Sequence, residues 1–179
     1  MSRNVEIKAR VGDPAALEQR VRALADSGPV EIFQDDSFFN TPRGRLKLRD
    51  FGDGSGELIY YERGDQAGPK TSFYEITATA EAEQLRRVLT LACGETGRVR
   101  KQRYLYLAGR TRIHLDRVEG LGDFMELEVV LSADELPQQG QREAEQLMKR
   151  LGVEADSLIE CAYVDLVAPS STHRKQPTR

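Results

Sequence analysis

The chain has 179 residues, room for one domain or one domain with a tail, and enough to bury a core without disulfide staples. Hydrophobic residues make up 39% and charged residues 31%, a composition that excludes a disordered chain but carries more charge than the usual quarter. The net charge of −3 argues against a general nucleic-acid binder, and no apolar run approaches the ~18 residues of a membrane span.

Residues 4–11 alternate, with Val5, Ile7, Ala9 and Val11 on one face and Asn4, Glu6, Lys8 and Arg10 on the other, which predicts a strand. Asp13-Pro14 opens a helix with Asp13 as N-cap; Leu17, Val21 and Leu24 form its apolar stripe, and Ser27-Gly28-Pro29 stops it. Strands are expected over 30–39, 45–51, 57–63 and 70–77, the middle pair joined by a glycine-rich hairpin at 52–56. A helix is expected over 80–92, with Leu85, Val88, Leu89 and Ala92 on one face. Strands over 99–107 and 111–116 form a hairpin about Ala108-Gly109, and 124–131 is the clearest late strand. A helix over 141–151 ends at Gly152. A short segment at 163–167 is expected to close the sheet, and 169–179, without large apolar residues, reads as a disordered tail after one domain at 1–168. Short connections favour antiparallel pairing, and so many strands in one small domain predict a closed barrel.

Cys93 and Cys161 form no C-x-x-C pair, and His114 and His173 complete no zinc pattern. The opening MSRNVEIKAR is charged at once, unlike a signal peptide, so a cytoplasmic protein is expected.

Charged residues are depleted in strands, yet here they line several. Arg45, Lys47 and Arg49 share one face, as do Lys101 and Arg103; Arg112, His114 and Asp116 share another, and Glu126 and Glu128 alternate with Met125, Leu127 and Val129. The simplest reading is a half-buried sheet with a wet outer face. The segregation of cations from carboxylates points elsewhere. Arg and Lys can meet the roughly four negative charges of a triphosphate, and carboxylates can hold Mg2+ or Mn2+ that bridge to phosphate oxygens. Periodicity alone leaves open whether the charged faces point in or out. Neither G-x-x-x-x-G-K-[ST] nor G-x-G-x-x-G is present, so the common phosphate loops are excluded.

Val5-Glu6-Ile7-Lys8 resembles the E-x-E-x-K signature of the CYTH family, which contains class IV adenylyl cyclases and thiamine triphosphatases. The stretch from Arg112 through Leu115-Asp116 to Gly120-Leu121-Gly122-Asp123-Phe124-Met125-Glu126-Leu127-Glu128 is similar to that family's late segment, and Ala162-Tyr163-Val164-Asp165-Leu166 is similar to its C-terminal S-Y-x-D-L closure. The resemblance spans residues 4–167. It implies an α+β fold, an eight-stranded antiparallel closed β-barrel, or triphosphate tunnel, with flanking helices. It implies metal ligands at Glu6, Asp116, Glu126 and Glu128, and phosphate contacts from Arg49, Arg63, Lys101, Arg103 and Arg112, with Arg45, Lys47 and Lys70 as helpers. Lys8 is expected to assist proton transfer. In one respect the sequence departs from the pattern: Asn4 stands where the first glutamate of the signature falls, so one metal position has a neutral oxygen in place of a carboxylate.

The expected function is therefore a Mg2+- or Mn2+-dependent enzyme acting on a small-molecule triphosphate. Cyclisation of ATP to cyclic AMP and pyrophosphate is preferred, because the late segment is closer to the cyclase branch. Hydrolysis of thiamine, inorganic or nucleoside triphosphate is the alternative, and a non-catalytic nucleotide- or polyphosphate-binding module the third reading. No nucleic acid and no membrane is expected as partner, and a homodimer is left open.

Overall fold

The computed structural model describes residues 2–63 and 70–167, with the backbone alone for Ser2, Arg63 and Lys70. The expected tail at 169–179 lies outside the described residues.

Among the described residues there are eight strands: β1 (Ser2–Arg10), β2 (Ser27–Phe39), β3 (Arg45–Asp50), β4 (Gly56–Arg63), β5 (Lys70–Thr79), β6 (Glu95–Ala108), β7 (Thr111–Val118) and β8 (Gly122–Leu131). They form one closed barrel in the order β1-β5-β4-β3-β2-β6-β7-β8, with β8 returning to β1. Every neighbouring pair is antiparallel. The helices are α1 (Pro14–Leu24), α2 (Ala82–Cys93), α3 (Pro137–Leu151) and the short α4 (Tyr163–Val167).

Local chemistry explains the helix ends. The Asp13 carboxylate accepts the Ala16 N–H at 3.0 Å, and Pro14 takes the first helical position, where its missing donor costs nothing. Gly152 closes α3 at φ 66°, the left-handed region that a residue with a Cβ enters only with strain.

The core answers the question that periodicity leaves open. Val5 and Ile7 of β1, Tyr106 of β6, Ile113 of β7, and Met125, Leu127 and Val129 of β8 are buried in one cluster with Leu17 and Val21 of α1 and Ala144, Leu147 and Leu151 of α3. The apolar faces of these strands thus point outward, under two helices. Because side chains alternate, the charged faces point into the barrel. Gly140 lets α3 come this close: a Cβ there would lie 2.7 Å from Leu131 Cδ2 and 2.9 Å from Val5 Cγ2.

Four elements differ from the sequence expectation. The third helix begins at Pro137, four residues before the expected 141, because Pro137 suits the first turn and Gly140 serves packing rather than a loop. The sixth strand begins at Glu95, and through it β2 pairs with β6 from Ser27 to Phe39. The apolar stripe expected on α2 is only half covered: Leu85 and Leu89 are partly buried, whereas Val88 is 60% exposed and Ala92 is exposed as well. Polar contacts add to what those residues supply, with Arg86 donating to Ser37 Oγ and Asp50 Oδ2, each at 3.1 Å. Finally, 163–167 is a helix rather than a closing strand. The β1–β8 pairing already closes the sheet, so no edge remains for another strand. The Asp165 carboxylate accepts the Ala162 N–H at 3.0 Å, a reciprocal cap that favours a helical turn.

Candidate active site inside the barrel

The barrel encloses a cavity of about 450 Å³, within the range of small-molecule pockets. The strand register builds its charged wall. Lys8 lies opposite Glu126 and Glu6 opposite Glu128 across β1 and β8, while His114 faces Glu126 and Arg112 faces Glu128 across β7 and β8. Lys101 and Arg103 of β6 continue this wall, and Lys47 and Arg49 of β3 face it from the other side.

The cations are held by carboxylates. Arg103 donates to both oxygens of Asp116, at 2.7 and 2.6 Å, and to Glu126 Oε2 at 2.5 Å. Lys8 Nζ lies 2.8 Å from Glu126 Oε1 and 4.1 Å above the Tyr163 ring. Arg49 makes a two-pronged contact with Asp36 at 2.9 and 3.0 Å, and Lys47 donates to the same carboxylate at 2.9 Å. Lys101 bridges the two groups, its ammonium 3.8 Å from Asp36 and 3.9 Å from Asp116.

Burial would raise Asp36 and Glu126, but their cationic partners outweigh it and hold both well below the usual carboxylate range. Burial would likewise lower Arg103, yet Asp116 and Glu126 hold it well above its ordinary value. Lys101 goes the other way. Burial, with Arg103 close by, pulls its ammonium from 10.5 down to about 7. Burial and Arg49 lower Lys47 in the same direction. These lysines are short of negative charge, the condition that an incoming polyanion relieves.

Three buried side-chain atoms have no hydrogen-bond partner among the described residues: Asn4 Oδ1, Gln34 Oε1 and His114 Nδ1. All three residues line the cavity. Polar atoms left unmatched in a buried cavity are available to a ligand. A nitrogen of His114 and carboxylate oxygens of Glu126 and Glu128 lie within 4.8 Å of one another, so hard and borderline donors suited to a divalent cation converge at one place.

The residues singled out in the sequence fall into four groups. Glu6, Lys8, Lys47, Arg49, Lys101, Arg103, Arg112, Glu126 and Glu128 line the cavity together, and Asn4 lines it beside them. Asp116 stands behind the lining, fully engaged by Arg103 and by the Tyr163 hydroxyl, which donates to it at 3.1 Å. Arg45 sits outside the cavity, where both prongs of its guanidinium meet Asp165 at 3.0 and 2.8 Å and tie β3 to α4. The side chains of Arg63 and Lys70 lie outside the described residues.

Sequence reasoning passed over Asp36, the counter-charge for three cations, and the Tyr163 ring beneath Lys8. The alternation of Ile32, Gln34, Asp36 and Phe38 along β2 carries the signal for Asp36, since all four line the cavity.

The model of the CYTH domain matches residues 2–163. The chain belongs to the CYTH family. Among curated CYTH relatives, the adenylate cyclase CyaB of Aeromonas hydrophila is 27% identical over 175 residues, covering 94% of this chain and 90% of that protein. The PH1012 protein of Pyrococcus horikoshii shares the fold with a TM-score of 0.82 at 22% identity, over 92% of this chain and 99% of its own. A Hippeastrum protein, described as a putative adenylyl cyclase with a dominant triphosphatase activity, shares it with a TM-score of 0.58 at 19% identity, over 88% and 90% of the two chains. No described helix is long and apolar enough to cross a membrane.

Proposed function

We propose that this CYTH protein is a divalent-metal-dependent enzyme that acts on triphosphates, and that its reaction is the cyclisation of ATP to cyclic AMP and pyrophosphate. One observation carries the reading: buried cations and a carboxylate–imidazole cluster share a single cavity. Lys47, Arg49, Lys101, Arg103 and Arg112 would bind phosphate oxygens, with the arginines adding two-pronged geometry. A cation at the Glu126–Glu128 end would neutralise charge on the phosphates as the bond between the α-phosphorus and its bridging oxygen breaks. Lys8, in contact with Glu126, is the group proposed to assist departure of the 3′-hydroxyl proton when that oxygen attacks the α-phosphorus.

Two facts favour a nucleotide over a bare triphosphate. The curated relative aligned over 94% of this chain is named an adenylate cyclase. The β2–β5 side of the cavity also presents Ile32, Phe51, Tyr74 and Ile76, apolar surface that inorganic triphosphate would leave unused. Triphosphate hydrolysis uses the same grip on the anion, and the activity described for the Hippeastrum protein makes it the second reading.

Product analysis decides. The protein is incubated with ATP, thiamine triphosphate or inorganic triphosphate, each with Mg2+ or Mn2+. Cyclic AMP with pyrophosphate is expected from ATP. Orthophosphate as the main product would replace cyclisation by hydrolysis, and saturable binding without product would make the protein a sensor.

A further inference from the structure

We propose that His114 is a metal ligand, and that with Glu128 and Glu126 it forms a mixed nitrogen–oxygen centre that prefers Mn2+ and later first-row ions to Mg2+. The proposal rests on the reading that the cavity takes a divalent cation, and names the class of cation and its nitrogen donor.

His114 is 4% exposed, and its Nδ1 has no hydrogen-bond partner among the described residues. A polar atom left buried and unmatched carries an uncompensated desolvation cost, so a histidine held this way in a cavity wall is a candidate for a ligand's partner. Nδ1 lies 3.7 Å from Glu126 Oε2 and 3.8 Å from Glu128 Oε1. Both distances are too long for hydrogen bonds. They suit donors around one ion. With bonds of about 2.1 Å, two donors stand about 3.0 Å apart when adjacent and about 4.2 Å apart when opposite. The two separations fall between those limits.

The neighbours support the geometry. Glu126 is oriented by Lys8 at 2.8 Å and Arg103 at 2.5 Å, as second partners orient a ligating carboxylate. Glu128 is touched less closely, with Arg112 at 3.5 Å, so its oxygens are more available. Glu6 faces Glu128 in register, and Asn4 lies one inward position further along β1 with its own unmatched oxygen.

A nitrogen donor changes which ion fits. Mg2+ selects oxygen ligands, whereas imidazole suits transition ions. A barrel with one glutamate fewer and a histidine in the cluster therefore shifts from Mg2+ toward the first-row transition ions, with Mn2+, the weakest of that series, showing the smallest shift.

The test needs no turnover. Mn2+ is added to the tag-free protein, and binding is read from loss of the free-ion paramagnetic signal. Coordination is then read from electron spin-echo modulation, which reports a directly bound ¹⁴N. Wild type is expected to show nitrogen coupling that changes when histidine is ¹⁵N-labelled. The coupling should disappear in His114→Gln and persist in His173→Gln. Mn2+ affinity should fall by about tenfold or more in His114→Gln, while Mg2+ affinity changes by less than about threefold. Labelled wild type keeps the question decidable if His114→Gln fails to fold. Mn2+ bound without nitrogen coupling overturns the ligand assignment and leaves the metal-dependent reading intact. No Mn2+ binding, with or without ATP, overturns both.

Discussion

The barrel has two unlike halves. The wall from β6 through β7 and β8 to β1 buries its outward apolar faces under α1 and α3 and turns charge inward. The wall from β2 to β5 mixes charge with apolar and aromatic residues on its inner face, among them Ile32, Ile59, Tyr61, Tyr74 and Ile76. Among the described residues, the helix packed on its outer surface is α2, against β2 and β3. Phe33 on the outside and Ile76 on the inside remain 43% and 49% exposed. The contrast shows how a strand with ordinary alternation comes to have a polar interior: what stands behind it, not its own pattern, decides which face is the core. The helix-backed wall supplies the stability that lets a dense charge network face the cavity.

The largest effects should come from the charge network, with opposite signs on ligand binding from its two halves. Arg103→Met leaves Asp116 buried without its main partner and takes one of two close cations from Glu126, and Asp36→Asn removes the shared carboxylate of Arg49 and Lys47 and one of the two beside Lys101. Each is expected to cost about 3–5 kcal/mol in urea unfolding of the ligand-free protein. Triphosphate affinity should fall in Arg103→Met, which loses a cation. It should rise in Asp36→Asn, where the anion no longer competes with a carboxylate. The same direction in both variants would contradict the role of Asp36 as a stand-in for ligand charge.

A second pair tests the difference in backing. Ile7→Ala, beneath the helices, should cost about 2–5 kcal/mol. Ile76→Ala, half exposed on the opposite wall, should cost less than about 1 kcal/mol. Equal losses in urea midpoint would show that both walls share one core.

The smaller expected effect concerns protons. The folded value of about 7 for Lys101 lies below the ordinary 10.5. Between those pH values the unfolded chain binds more protons than the folded one, so this lysine makes stability rise with pH across that window. Below pH about 7 its unfavourable contribution is complete. A bound triphosphate favours the ammonium, so binding at pH 8 should take up as much as about one proton. Calorimetry in buffers of different ionisation enthalpy measures the uptake, which Lys101→Met should reduce. An unchanged uptake would remove Lys101 from the anion's surroundings.

Much of this arrangement is legible in the sequence, for identifiable reasons. The alternation at residues 4–11, 111–116 and 124–131 depends on neighbours in the chain, so it marks the strands and groups their charges correctly. The direction of those faces depends on where α1 and α3 dock, which is a long-range property. Asp36 is obscured by Asp35. The two adjacent carboxylates sit on opposite faces, Asp35 outside with Arg98 at 2.7 Å and Asp36 inside with Arg49. His114 stands in a strand already marked as charged, but its unmatched nitrogen becomes visible only when the strands are paired. The 163–167 segment has strand-forming residues, and its helical turn follows from a cap and from a barrel that is already closed.

The central claim, that the cavity grips a chain of phosphates, is tested most directly by titrating AMP and ATP into the protein at matched ionic strength and pH. Each charge-assisted hydrogen bond contributes about 1.5–3 kcal/mol, so losing the contacts to two phosphates should weaken AMP by about a hundredfold or more relative to ATP. That difference is the predicted result, and equal affinity for AMP and ATP would contradict the account.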